Sequence, residues 1–285
     1  MKHNKTRSRI TVFFLMAVIL LSCLPVSRTA AADTQKTLTL KQQISCINQA
    51  EKGREICAYQ GAVLTEDQME SVRQAVQEIR DKDADVSFVM MNLRTGKMIS
   101  YNPTKTYFGA STVKGPYTIA VNRYYKKAWK KSKGLMKKAV IPSNNWAYRR
   151  LRLRYGNACM RSLCRLSGVR VKLAKARYPY PCAKDLAKWW CGSYTYLKKN
   201  KKVPKKLRGY FSKVKHSPIN YCIERTTYSK PGWMEGSGID IYNDAGIVMS
   251  ANGPYVMAIM TTLDGDDHPP IRNLVRVLNS VQDTM

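Results

Sequence analysis

Phe108-Gly109-Ala110-Ser111-Thr112-Val113-Lys114-Gly115-Pro116-Tyr117 sets a hydroxyl and an amine three residues apart. On a helix, positions i and i+3 project from one face, so Lys114 can bring its amine beside the Ser111 hydroxyl and serve as its base. A serine without such a partner is a poor nucleophile at neutral pH. Histidine is the usual partner, but the chain has 3, His3, His216 and His268, and the first lies in a segment that reads as removable. A Ser-His-Asp triad is therefore poorly supplied, and a lysine base is the better reading. The decamer marks the chain as a candidate acyl-enzyme hydrolase.

Upstream of it, Thr65-Glu66-Asp67-Gln68 is a capping box for a helix with Met69, Val72, Val76 and Ile79 on one face, ending near Lys82. Val86–Met91 and Lys97–Asn102 read as a hairpin around Arg94-Thr95-Gly96. Downstream, Trp146–Tyr155 and Asp185–Tyr196 are patterned as helices. Three strand-like runs follow, Cys222–Met234, Ile239–Met249 and Tyr255–Leu263. A last helix from about Pro270 to Asp283 aligns Leu274, Val277, Leu278 and Val281. This order predicts an α+β fold: a five-stranded antiparallel sheet with terminal helices on one face and an all-helical lobe inserted between strands two and three.

The first 32 residues have a basic start, an apolar run from Ile10 to Leu24, and the small-residue stretch Ala30-Ala31-Ala32, the pattern of a secretory signal peptide cut near Asp33. Leu20-Leu21-Ser22-Cys23 also resembles a lipoprotein cleavage box, which would leave Cys23 lipidated. Either way the mature protein, residues 33–285, is expected outside the cytoplasm as one catalytic unit. Residues 33–114 and 221–285 would form an α/β lobe, and 115–220 a helical lobe.

Charge separates these lobes. The chain carries a formal +30, and residues 115–220 hold 29 Lys and Arg against one acid, Asp185. An exported protein with such a face would meet anionic wall polymers or an acidic membrane surface, in a salt-dependent way, and no nucleic acid is expected. The plain alternative is a solvated helical surface. Seven cysteines follow the signal segment; Cys46/Cys57, Cys159/Cys164 and Cys182/Cys191 suit disulfides, with Cys222 left over, and buried free thiols suit the same sequence. Two histidines and no Cys-x2-Cys pair make a metal site unexpected, and no nucleotide loop or other cofactor signal is present. A monomer is expected.

Two further segments extend the Ser111 motif. Ser143-Asn144-Asn145 follows Ser111, and Lys230-Pro231-Gly232 lies in the first of the last three predicted strands. Taken alone, the triplet could cap the helix at Trp146, Lys230 could be a strand-edge lysine, and Ser111 an ordinary helix serine. Trp189 and Trp190 read as core packing, and Asp185 as support for the start of its helix. The ordered set Ser-x-x-Lys, Ser-x-Asn, Lys-x-Gly resembles the class A β-lactamases and the related penicillin-binding D,D-peptidases. Asn243-Asp244-Ala245-Gly246-Ile247-Val248 looks like the closing strands of that family, so the resemblance spans most of the chain.

The resemblance implies a β-lactam or peptidoglycan-like substrate. Ser111 would form the acyl-enzyme and Lys114 would take its proton. To do so near neutral pH it must lose about three units from a free-lysine pKa near 10.4, roughly 4 kcal/mol, through burial and a second cation, Lys230. Lys230 would also draw a substrate carboxylate. Ser143 would pass a proton to the leaving nitrogen, and Asn145 would hold the substrate's amide side chain. The backbone N–H groups of Ser111 and Trp233, beside Gly232, would form the oxyanion hole, where losing one donor costs about 3 kcal/mol.

The pattern departs from the class A family at the glutamate that activates the deacylating water. Between the second and third motifs the chain has only Asp185 and Glu224 as acids. Asp185 belongs to a helix start, and Glu224, on the Lys230 strand, would stand roughly 20 Å away. Asn144 replaces the family's middle aspartate, and Pro231 replaces a hydroxyl residue. Acylation with slow deacylation is therefore expected. The alternatives are a D,D-carboxypeptidase or amidase acting on peptidoglycan, and a non-catalytic wall-binding protein using its basic lobe.

Overall fold

A computed structural model describes residues 37–283 except 235, 237 and 266–268. The expected signal peptide, its cleavage near Asp33, Cys23, His3 and His268 lie outside the described residues.

Two threonines start the first two helices. The Thr39 hydroxyl accepts from the Gln42 N–H to open α1 (Leu40–Asn48), and Thr65 does the same with Gln68 for α2 (Glu66–Arg80), each glutamine reaching back to complete a capping box. The second helix is the predicted one, ending two residues earlier than expected. The first is an addition, too short at 9 residues to show a clear period.

The sheet has six antiparallel strands among the described residues, in the order β1-β3-β2-β6-β5-β4. These are β1 (Cys57–Tyr59), β2 (Val86–Asn92), β3 (Met98–Tyr101), β4 (Thr227–Met234), β5 (Ile241–Val248) and β6 (Tyr255–Thr261). The expected five become six because β1, only 3 residues long, pairs on the outer side of β3. The strand expected from Cys222 begins at Thr227. Pro218–Cys222 instead forms a short helix, α9, with Ser217 accepting from the Asn220 N–H and proline in its first turn.

β2, β5 and β6 are buried along their whole length, because both sheet faces are covered. One face, with Phe88, Met90, Met257 and Ile259, packs on α2 and the last helix, α10 (Pro269–Gln282). The opposite face, with Val89, Met91, Ala258 and Met260, meets a second helical layer, whereas Ile219 of α9 packs in the core on the side of α2 and α10. The terminal helices predicted for one face are thus α2 and α10, while α1 joins the other layer.

That layer contains α3 (Lys114–Tyr124), α4 (Ala128–Val140), α5 (Asn145–Tyr155), α6 (Ala158–Leu166), α7 (Ala183–Leu197) and α8 (Lys202–Phe211). Helix α3 is buried continuously from Lys114 to Asn122, which marks it as a central helix with no solvent face. Trp189 and Trp190 on α7 are fully buried, as expected of core residues. At the start of α7 the Asp185 carboxylate accepts from the Cys182 N–H at 3.3 Å and pairs with Arg170 at 3.3 Å, the supporting role read for it.

All seven described cysteines are free. The candidate pairs within helical segments fail on geometry. Nine residues of helix separate Cys182 from Cys191 by about 13 Å, and a five-residue step turns Cys159 and Cys164 to different faces, whereas a disulfide needs α-carbons within about 7 Å. Cys164 instead accepts from the Trp189 indole N–H at 3.4 Å.

Candidate active site

Ser111 sits in a 3₁₀ turn, Ala110–Val113, that runs directly into α3, so the expected helix at Ser111 is a tighter turn. Three residues per turn still align Ser111 and Lys114. The turn is held on several sides. The Thr112 hydroxyl donates to the Gly109 carbonyl at 2.6 Å, and the Asn243 amide of β5 donates to the Phe108 carbonyl at 2.9 Å. Ala110, immediately before the serine, has φ 43°, a left-handed conformation that costs a residue with a side chain roughly 1–3 kcal/mol.

β4 is the end strand of the sheet, and it lies beside this turn. A Cβ on Gly232 would fall 2.6 Å from the Ser111 nitrogen, 2.7 Å from the Thr112 nitrogen and 2.8 Å from the Gly109 oxygen. Backbone thus meets backbone here, and only glycine fits. Across α3, Gly115 gives similar room: its Cβ would lie 3.0 Å from Cβ of Lys230 and 3.2 Å from the Trp190 ring. The Lys230 stem occupies that space, and its amine lies 5.7 Å from the centre of the half-buried Trp233 ring.

Lys114 is fully buried, and its ammonium bonds join the first two motifs. Its Nζ donates to the Ser143 carbonyl at 2.5 Å, to the Ser143 hydroxyl at 3.2 Å and to Oδ1 of Asn145 at 2.6 Å. Ser143 presents both oxygens from a left-handed backbone, φ 59°. Asn144 turns the other way, and its Oδ1 accepts from the Ala147 N–H at 2.8 Å as the cap of α5. Capping and the contact with Lys114 are therefore divided within one triplet, the cap belonging to its middle residue and the lysine to its outer two.

All these partners of Lys114 are neutral. Burial pushes its pKa down from the ordinary lysine value to about 7, so both protonation states are populated near neutrality. Lys230 is also fully buried and is held well below the ordinary lysine range, first by burial and then by the charge of Lys114. Its ammonium donates to the neighbouring Pro231 carbonyl at 2.9 Å. Burial accounts for the depression of Lys114, where a charged Lys230 was also expected to contribute.

The structure brings Lys114, Ser143 and Asn145 into direct contact, Lys230 against α3, and Gly232 against Ser111. It does not join the Ser111 hydroxyl to Lys114 or Ser143 by a hydrogen bond among the described residues. Ser111 is half-exposed beside them.

Sequence reasoning missed two groups. Tyr178, from the stretch Tyr178-Pro179-Tyr180-Pro181, donates to Oδ1 of Asn145 at 3.0 Å, and its ring centre is 5.9 Å from the Lys114 amine. The stretch is pinned to the approach to Ser111, with the Gly109 N–H donating to the Pro179 carbonyl at 2.9 Å and the Tyr107 N–H to Pro181 at 3.0 Å. Its signal was the alternation of tyrosine with proline, which has no helical or strand period. The second group is Asp244, fully buried on β5, accepting from the Ser217 hydroxyl at 2.6 Å and the Ile219 N–H at 3.0 Å. Burial lifts its pKa to about 7. Glu224 is exposed and precedes β4, so it is not on the Lys230 strand. Among the described residues, no carboxylate bonds to Lys114, Ser143 or Asn145.

No protein-family model matches this chain, and no curated protein matches it. Solved structures do. PBP-A is 16% identical with a TM-score of 0.59, over 76% of this chain and 97% of its own. A β-lactamase from Chitinophaga pinensis DSM 2588 is 18% identical with a TM-score of 0.59, over 76% of this chain and 99% of its own. A PBP-A mutant solved as an acyl-enzyme complex with penicillin G is 16% identical with a TM-score of 0.58, over 76% and 97%. At these identities the likeness is one of architecture, and on it the chain has the fold of these β-lactamases and PBP-A.

Proposed function

We propose that this chain is an exported serine hydrolase that forms an acyl-enzyme on Ser111 with a β-lactam or a peptidoglycan-like amide, and clears it slowly. The observation that carries this reading is the buried Lys114 amine, bonded to Ser143 and Asn145 and half-ionised near pH 7. In this reading neutral Lys114 accepts the hydroxyl proton as the Ser111 oxygen attacks the carbonyl carbon. The oxyanion takes the Ser111 and Trp233 N–H groups, and the close approach of Gly232 supports that arrangement. Ser143 then relays the proton from Lys114 to the departing nitrogen as the C–N bond breaks. Lys230, whose burial disfavours its charge in the free protein, binds the substrate carboxylate as a cation once that negative group stands beside it, and Asn145 orients the amide side chain.

Hydrolysis of the ester needs a base for water. The position of Tyr178 against Asn145 and Lys114 supports slow deacylation, since a phenol raised in pKa by burial is a poor base. This favours a penicillin-binding D,D-peptidase or amidase type of turnover over a fast β-lactamase. The export reading rests on residues 1–32 of the sequence, and the two-lobe division at 115 and 220 on the distribution of charge. No helix among the described residues is long and apolar enough to cross a membrane.

The test is intact mass after incubation with penicillin G, and release of D-alanine from a stem-peptide substrate, for wild type and Ser111→Ala. A long-lived adduct on the wild type alone is the expected result. Absence of both adduct and D-alanine release would overturn the reading.

A further inference from the structure

Away from Ser111, helices α4 and α8 pack against one another and leave a surface groove between them. It shares no lining residue with the site around Lys114. Trp129 and Tyr210 form its floor at one end, their rings stacked at 5.6 Å and 28°. Exposed lysines form the walls: Lys133 and Lys137 from α4, Lys202, Lys205 and Lys206 from α8, and Lys213 just beyond it. The two ends are continuous through Lys137, Lys206 and Tyr210.

Four features of this groove run against stability. Lys133/Lys137 and Lys202/Lys206 are like-charge pairs one turn apart, and each weakens its helix. Lys201 and Lys202 stand at the α8 N-terminus, where the helix dipole disfavours cations. None of the six wall lysines has an ion pair among the described residues, and the one acid of residues 115–220, Asp185, is buried with Arg170. Gly134 within α4 and Gly209 within α8 line the groove, and a Cβ on either would meet nothing within 4 Å. Helix-interior glycine is destabilising against alanine, and no packing within the protein requires it here.

These features agree if the groove holds a ligand. We infer that it binds a linear phosphodiester polymer with sugar or polyol units, the phosphates lying between the lysine rows and the units passing over the Trp129–Tyr210 floor and the two glycines. Lysine is a point charge suited to phosphates of variable geometry, and aromatic faces suit the CH faces of sugars and polyols. The groove has no arginine, asparagine or glutamine with which to read base edges. Its rings are half-buried at the floor and do not project as membrane anchors would. The inference deepens the wall-facing reading above, which supplies the setting, while the groove itself is independent of Ser111.

The test is titration of the protein with a synthetic poly(glycerol phosphate) chain at several salt concentrations. Changing Lys133, Lys137, Lys202 and Lys206 together to glutamine is expected to weaken binding at least tenfold and flatten its salt dependence. The same change at Lys172, Lys175, Lys198 and Lys199, exposed lysines outside the groove, removes equal charge and should alter affinity less than twofold. The pair Gly134→Leu and Gly209→Leu fills the groove with charge unchanged, favours the helices, and should weaken binding several-fold. Equal losses from both lysine sets would overturn the inference. So would tighter groove-dependent binding of single-stranded RNA or phosphatidylglycerol vesicles. Ser111→Ala should bind as wild type does, so failure of acylation would leave groove binding standing, and the reverse.

Discussion

Gly232 and Ser111 approach so closely that a single methyl group on the glycine would lie 2.6 Å from the serine's amide nitrogen. The nitrogen is one of the two proposed oxyanion donors, and the obstructing atoms are backbone, which cannot rotate aside. Gly232→Ala should therefore push β4 away from the Ser111 turn and separate the donors. Acylation by penicillin G is expected to slow at least about a hundredfold, the cost of one such donor. Stopped-flow acylation checks this, and a rate within threefold of wild type would show that the donors lie elsewhere.

Lys114 must be neutral to accept a proton, and burial sets its pKa at about 7. Acylation should rise about tenfold per pH unit below that value and level off above it. Lys114→Arg keeps a cation at every pH and should show neither the rise nor the acylation. The same displacement affects stability. Unfolded lysine holds its proton up to about pH 10.4, so between about 7 and 10 the unfolded chain binds more protons and this residue's contribution to stability grows with pH.

The Ser143-Asn144-Asn145 triplet separates into a cap and a site, so its neighbours should fail differently. Asn144→Ala removes the α5 cap and should cost about 1 kcal/mol by chemical denaturation while acylation stays within about threefold. Asn145→Ala removes the acceptor shared by Lys114 and Tyr178 and should cut acylation about tenfold or more, the cost of leaving a buried donor unpaired at the site. Equal effects on acylation would mean the triplet acts only through its helix.

The α+β order, the five strands β2 to β6 and the three motifs were legible because each left a local signal. The Thr65 cap, the 3.6-residue period of α2 and α10, and the runs that became β5 and β6 are of this kind. What stayed hidden depended on tertiary contact. β1 exists because three residues find the outer edge of β3, and Pro218–Cys222 turns helical after its Ser217 cap although its apolar residues also suit a strand. Tyr178 comes to the site through backbone bonds between Pro179, Pro181 and the approach to Ser111, a pairing across about 70 residues of sequence that no period announces. The order of the motifs placed Lys114 and Lys230 in one site, but the neutral partners of Lys114 and the full burial of Lys230 required the folded layers around α3.

Asp244 tests that buried layer from beneath. Its carboxyl accepts from Ser217 and the Ile219 N–H, and those bonds favour the charged form, yet full burial prevails and lifts the pKa from an ordinary value near 3.8 to about 7. Below about pH 4 the group is protonated in both folded and unfolded chains. As pH rises from about 4 to about 7 the unfolded chain releases this proton and the folded chain keeps it, so stability falls through that window and levels off above it. Across about three pH units the loss from this group approaches about 4 kcal/mol. Asp244→Asn keeps the shape of the protonated acid without a titrating proton. Urea unfolding of both proteins at pH 4 to 9 should give a stability difference that moves in the variant's favour up to about pH 7 and is constant beyond. A pH-independent difference would mean that Asp244 is ionised in the folded protein throughout, with its two donors outweighing burial.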